Sequence, residues 1–205
     1  MGAAQWPPAE GLVLTGDVVS VRRYRSSDAP ELVPALADPK IWEHVPAFPQ
    51  TVADWDAYAL KGAATGRWPF VVRLVQPLAG FPAGAVVGCS SYYDVSPENF
   101  YVSIGYTTYT PQVWGTAVNP ATKLLLLQHA FETLGMNRVQ LKTDNRNLRS
   151  QAAMEKIGAT REGVLRNHMI RRDGTPRDSV IFSILKTEWP EVQKILKELI
   201  ATRTN

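Results

Sequence analysis

Cysteine is nearly absent: Cys89 stands alone among 205 residues, and there are only three histidines. A lone thiol closes no internal disulfide, and no ligands stand at zinc spacing, so neither an oxidised secreted scaffold nor a structural metal is expected. Long apolar runs are missing too. No segment approaches 18 uninterrupted apolar residues, and Met1–Gly16 has neither a basic start nor a leader-length apolar stretch, which predicts no membrane span and no export signal. There is no internal repeat, no low-complexity tract and no block of one charge. The 22 basic and 19 acidic residues are intermixed to a net +3, which argues against a dedicated nucleic-acid partner. The expected setting is a reducing cytoplasm, with neither nucleic acid nor membrane as partner. A pI near 9.0 still suits a site for a polyanion.

What is present is enough apolar residue, 45%, for one substantial core. The chain divides into a partly disordered segment over 1–16, a single domain over 17–187, and a C-terminal amphipathic helix and tail over 188–205. Val18–Tyr24 alternates as a strand, and Ser26–Asp28 offers capping groups to a helix reaching Leu36. Trp55, Tyr58 and Ala59 at helical spacing predict a second helix over Val52–Ala64. Phe70–Val75, Ala85–Tyr93 and Phe100–Tyr109, rich in Val, Tyr, Phe and Thr, read as three sequential strands. Leu124, Leu127, Phe131 and Leu134 make one stripe of a helix from Asn119, its expected cap, to a stop at Gly135. A strand over Arg138–Thr143, a helix over Leu148–Ile157 and a hairpin of Gly163–Arg171 with Ser179–Leu185 follow. The last helix, after Pro190, either closes the core or pairs with a second subunit as a homodimer; periodicity does not choose.

The stretch Gln112-Val113-Trp114-Gly115-Thr116-Ala117-Val118 lies between a strand and that stripe-bearing helix. Small residues at 115–117 let backbone approach a bulky anion, and a helix N-terminus supplies free amides and the positive dipole end. Such a turn is more often plain connection, so alone it identifies nothing.

Five separated motifs decide the reading: Ser103-Ile104-Gly105-Tyr106; Pro111 with Trp114-Gly115 and the Leu-rich helix ending His129-Ala130-Phe131; Asn147-Leu148-Arg149-Ser150; Glu155 to Ala159 with Glu162 to Arg166; and Asp173-Gly174 with Arg177-Asp178-Ser179. In this order they resemble the RimJ/RimL-like branch of the GNAT N-acetyltransferase superfamily over roughly residues 100–186. The resemblance implies an α/β (α+β) GNAT fold. Its sheet is mixed, mostly antiparallel and seven-stranded, splayed between the fourth and fifth strands and flanked by helices on both faces. It also implies acetyl-coenzyme A as co-substrate. Backbone groups of Thr107, Thr108 and Tyr109 would meet the pantetheine and the acetyl carbonyl, with Thr108 the oxyanion donor. Gln112 through Val118 would wrap the pyrophosphate. Asn147 would contact the cofactor, and Ser150, near the thioester sulfur, would be the general acid, because the tyrosine many relatives carry is missing here. The family loop reads Gln or Arg, two residues, Gly, any residue, then Gly or Ala. This chain takes Ala117, which must then avoid positive φ.

The implied reaction is direct attack, in a ternary complex, by a primary amine of a small molecule or of a peptide or protein N-terminus. An alkylamine of pKa about 10.4 is protonated at pH 7, so a base or water chain is useful. Glu43, His44, Asp94, Glu98 and His168 are the candidates, each equally readable as a solvated group, and His129 reads as packing. Trp42, Trp55, Tyr58 and Trp68 form either an aromatic acceptor pocket or ordinary core. Arg22-Arg23 and Arg171-Arg172 read as solvated pairs or, alternatively, as partners of the cofactor's 3'-phosphate or of an acidic acceptor, and Cys89 as a buried structural thiol. The alternative function is an inactive coenzyme A-binding module serving as sensor or assembly subunit.

Overall fold

Thr51 begins a helix where the Trp55 and Tyr58 spacing predicts one. Its Oγ1 accepts from the Asp54 amide at 3.1 Å, and the Asp54 carboxylate accepts from the Thr51 amide at 2.9 Å. This reciprocal cap satisfies two otherwise orphaned donors. The helix spans Val52–Ala64, and Trp55 on its inner face is 1% exposed.

The computed structural model describes residues 6–203. They form strands β1 (Val13–Thr15), β2 (Val19–Arg23), β3 (Trp68–Leu74), β4 (Val86–Ser96), β5 (Tyr101–Tyr109), β6 (Arg138–Asp144), β7 (Thr160–Ile170) and β8 (Pro176–Leu185). The helices are α1 (Ala29–Ala35), α2 (Val52–Ala64), α3 (Val118–Gln128), α4 (Leu148–Lys156) and α5 (Trp189–Ala201). One sheet holds all the strands in the order β1-β2-β3-β4-β5-β6-β8-β7, antiparallel except for β5 against β6. It has eight strands where seven were expected. The extra one, β1, lies inside the segment 1–16 expected to be partly disordered. Its three residues pair with β2 from Val13↔Arg22 to Thr15↔Ser20, too short a run to show a period. Residues 1–5 of that segment lie outside the described residues.

Alternation along the strands supplies both faces of the sheet. Phe70 and Val72 pack into a core with Leu126, Leu127, Val192 and Leu196 of α3 and α5. Val71 and Cys89 face the other way, into a cluster with Leu32, Leu36, Trp42 and Trp55 around α1 and α2. Helices therefore cover both faces, and α5 closes the core. Trp189 packs on Phe131 at 5.5 Å between ring centroids and donates through Nε1 to Glu132 Oε1 at 2.8 Å.

Asn119 is not the cap of α3. The helix starts at Val118 with Ala117 as its cap residue, and no side chain accepts at the cap position; Thr116 Oγ1 takes only the Val118 amide, at 3.3 Å. At the far end the helix widens into a π turn over His129–Thr133 and stops at Gly135, whose φ of 67° suits glycine.

Several expected solvent groups are structural instead. Buried Asp28 is held by Arg22 and by Arg73 at 2.9 Å, and Asp144 by Arg171. A buried carboxylate must be paired, so these arginines are recruited inward.

Candidate active site

The parallel pairing of β5 with β6 lasts four residue pairs, from Tyr101↔Arg138 to Ile104↔Leu141. Beyond Ile104 the strands part. Against β4, Cys89 faces Thr108 and Ser91 faces Gly105, so Ser90 stands opposite both Tyr106 and Thr107. This is a β-bulge, with Tyr106 at φ 49°. The bulge bends β5 away, and a cleft of about 640 Å³ opens in the gap, within the usual range for a ligand pocket.

The expected site residues divide into those that reach this cleft and those that do not. Thr107, Thr108, Tyr109, Val113, Trp114, Gly115, Thr116, Asn147 and Ser150 line it. Gln112, Ala117 and Val118 do not. Gln112 turns its amide oxygen back to the Thr110 hydroxyl, while Ala117 and Val118 are fully buried in the core. Ala117 has φ −68°, avoiding the left-handed region as its side chain requires.

Thr108 is poorly placed as an oxyanion donor. Thr110 donates from its amide to Val87 O at 2.9 Å, so that pair is of the bonded kind. Bonded and non-bonded pairs alternate in antiparallel strands, which makes Cys89 with Thr108 bonded too and turns the Thr108 amide toward β4. Tyr109, one residue on, faces the split; its carbonyl accepts from Trp114 Nε1 at 2.9 Å.

The loop leading into α3 has the donors an anion needs. Gly115 takes φ 81°, and a Cβ built there meets no atom within 4 Å. Among the described residues the Gly115 and Ala117 amides find no acceptor, whereas Val113, Trp114 and Thr116 donate within the turn. Arg149 of α4 lies across the Trp114 ring at 3.6 Å, placing a cation beside the loop. Asn147 caps α4 by accepting from the Ser150 amide at 3.0 Å, which leaves the Ser150 hydroxyl free to face the cleft.

Of the base candidates, His44, Asp94 and His168 line the cleft. Glu98 bonds Ser96 at a remote hairpin, and Glu43 lies 3.9 Å from His44 outside the lining. His168 Nδ1 is 3.0 Å from Ser179 Oγ, and desolvation, then Lys142 and Arg177, hold its pKa below the ordinary histidine value. His129 packs on Tyr92, as expected. The aromatic residues Trp42, Trp55 and Tyr58 belong to the core under α1 and α2, and Trp68 packs against Trp6; none lines the cleft. Burial pushes the Cys89 thiol up to about 11, and its Sγ rests 3.0 Å from Thr108 Oγ1, so it is no nucleophile.

Lys123 was not anticipated. It is 6% exposed, lines the cleft from α3, and among the described residues hydrogen-bonds only Thr107 Oγ1, at 3.2 Å, which in turn bonds Ser90 Oγ. Desolvation without a carboxylate pulls its pKa down to about 7. The signal was legible: Lys123 stands three and four residues before fully buried Leu126 and Leu127, on the apolar face of its helix.

A sheet parted beside a helix whose entrance loop has free amides defines an acyl-coenzyme A-binding transferase fold. The chain belongs to the GNAT acetyltransferase family, the acetyltransferase (GNAT) domain matching residues 19–160. Acetyl-coenzyme A is the donor in that family. A solved protein of T. thermophilus, assigned as an acetyltransferase, is 32% identical, with a TM-score of 0.81 over 95% of this chain and 98% of that one. Mycobacterium smegmatis RimJ, solved with CoA-disulfide, shares the fold at 22% identity, a TM-score of 0.76, and coverage of 97% and 96%. YdaF of Bacillus subtilis (strain 168), assigned as a ribosomal N-acetyltransferase, is 32% identical over 106 residues, 52% of this chain. The chain spans only 57% of YdaF. Among the described residues no helix is long and apolar enough to cross a membrane, and no three His, Cys, Asp or Glu side chains group to hold a metal.

Proposed function

We propose that this acetyltransferase acylates a primary amine of a small molecule or peptide N-terminus by direct attack in a ternary complex. The observation that carries the reading is the coincidence, in one cleft, of the parted strands with the free Gly115 amide. That amide and the first turn of α3 would hold the pyrophosphate, with Arg149 adding charge beside them. Asn147 and the Thr107–Tyr109 edges of the gap would flank the pantetheine. Acetyl-coenzyme A supplies an activated thioester. The chain's own residues then have three tasks: to turn the Tyr109 amide toward the carbonyl oxygen, to accept a proton from the amine, and to return one at the sulfur. His168 suits the second, being neutral at pH 7 and fixed through Nδ1 with its other nitrogen free. Ser150 suits the third. Thiol release from acetyl-coenzyme A over a panel of amines tests the reading, and coenzyme binding with no turnover on any amine would leave only the inactive-module alternative.

Ser150→Ala is expected to lower kcat about tenfold with little change in coenzyme A affinity. A thiolate is a tolerable leaving group, so the acid assists without being essential. If kcat and affinity both stay at wild-type values, Ser150 merely follows the α4 cap.

A further inference from the structure

Asp144, at the end of β6, has two guanidinium groups beside it and bonds one. Arg171 reaches it twice, from Nε to Oδ2 at 2.7 Å and from Nη2 to Oδ1 at 2.8 Å, and the Arg146 amide adds a third bond at 2.9 Å. Arg177 Nε comes no nearer than 3.9 Å to Oδ2, beyond hydrogen-bond reach. Among the described residues nothing else accepts from it, and Nε is buried with no partner. Arg177 is 8% exposed and lines the cleft. Arginine keeps its proton inside proteins, so a whole positive charge is desolvated against the cleft wall. Buried charges are ordinarily paired and hydrogen-bonded, because an uncompensated one is strongly unfavourable.

The neighbours do not relieve it. Lys142 Nζ is 3.4 Å from Asp94 Oδ2, so that carboxylate is answered, and Lys142 also lies over the Tyr93 ring at 5.4 Å. Tyr93 and Tyr106 pack edge to face at 5.1 Å, and His168 stands close enough for Arg177 to depress its pKa. The groups that act on Arg177 electrostatically are Asp144, Tyr93, Arg171 and Tyr106. With Asp94 matched to Lys142 and Asp144 hydrogen-bonded by Arg171, Arg177 beside the candidate base keeps the 3.9 Å ion pair with Asp144 but no hydrogen bond through Nε among the described residues.

We propose that Arg177 receives a carboxylate of the acetyl acceptor, which makes the acceptor an amine with a carboxylate close to its nitrogen, of the α-amino-acid type, and excludes polycations such as polyamines. The assignment rests on the acetyltransferase reading above. A guanidinium presents paired donors that match a carboxylate, and the low-dielectric wall strengthens that pair while repelling a second cation.

The test compares free α-amino acids with their α-carboxamides, and peptides beginning with Asp with those beginning with Asn, by thiol release from acetyl-coenzyme A. Spermidine serves as the polycation. The wild-type protein is expected to favour the carboxylate member of one of these pairs at least tenfold in kcat/KM and to leave spermidine unacetylated. In Arg177→Gln that preference collapses toward one, through KM of the carboxylate acceptors. The pair that shows the preference distinguishes a free amino acid from an acidic peptide end. Equal use of acid and amide, preference for spermidine, or an equal loss on both members in the variant would overturn the assignment. Calorimetric titration of coenzyme A-loaded protein with the same acids gives a readout independent of turnover. Were no amine acetylated, the transferase reading would fail, while acid binding lost in the variant would still support Arg177. The wild-type comparisons stand even if the variant does not fold.

Discussion

Gly115→Val is expected to weaken coenzyme A binding at least a hundredfold and to leave the chain folded. A hundredfold loss is about 2.7 kcal/mol. The residue sits at φ 81°, where a β-branched side chain is strained, and its added Cβ meets no protein atom within 4 Å. The direct cost to the fold is therefore backbone strain of about 1–2 kcal/mol, a small part of the roughly 5–15 kcal/mol that keeps a domain folded. The larger cost falls on the ligand, because the side chain would stand beside the free Gly115 amide, on the cleft lining. Gly174 offers a matched control: its φ is 80°, its Cβ space is also open, and it lies in the distant β7–β8 turn. Gly174→Val should carry the same strain and keep wild-type affinity. Calorimetric titration with coenzyme A and thermal unfolding of both variants separate the two effects. Equal affinities in the two would move the anion site away from this loop.

Lys123→Met should abolish a pH dependence of stability that the wild-type chain carries. In the folded chain the Lys123 amine loses its proton near pH 7, whereas a solvated lysine keeps it to about 10.4. Between those values the unfolded chain holds one more proton than the folded one, so raising the pH favours the folded state by about 1.4 kcal/mol per unit. Below pH 7 both states are protonated and the slope vanishes. Relative to Lys123→Met, the wild-type chain should gain about 2 kcal/mol between about pH 7.5 and 9.0. Urea denaturation at the two values reads this directly. The comparison with the variant also cancels the thiol and phenol groups, Cys89 among them, that begin to ionise higher in the range. Parallel behaviour of the two proteins would mean that Lys123 stays charged in the fold and has found a partner.

Most elements were legible because their residues repeat. The Trp55 and Tyr58 spacing gave α2 its full length, and enrichment in Val, Tyr, Phe and Thr gave β3 to β5 to within a few residues. The strand β1 was not legible, since three residues on a sheet edge carry no period. Asn119 misled because Asn before Pro is the usual sequence sign of a cap, whereas here the cap residue is Ala117, two residues earlier, and no side chain accepts at the cap position. At the site, local order pointed to the 112–118 loop, of which Val113 to Thr116 line the cleft, and to Asn147 and Ser150, which line it too. It overlooked Lys123, whose place on the apolar helix face was legible, and gave no role to Arg149 and Arg177, which its motifs contain but whose meaning depends on what stands opposite them across the fold. It also chose Thr108 over Tyr109, because the alternation of bonded pairs against β4 is a property of register and is invisible in one strand alone.

The four-pair contact of β5 with β6 bears on how firmly the sheet holds together. From β1 to β5 every strand pairs antiparallel with its sequence neighbour, and β6, β8 and β7 are antiparallel as well, so each half-sheet is continuous in itself. The two halves join through the short parallel junction of β5 with β6 and through α3 packed on α5. An acyl donor bound in the gap would touch both halves and clamp them together, which should raise the stability of the folded chain.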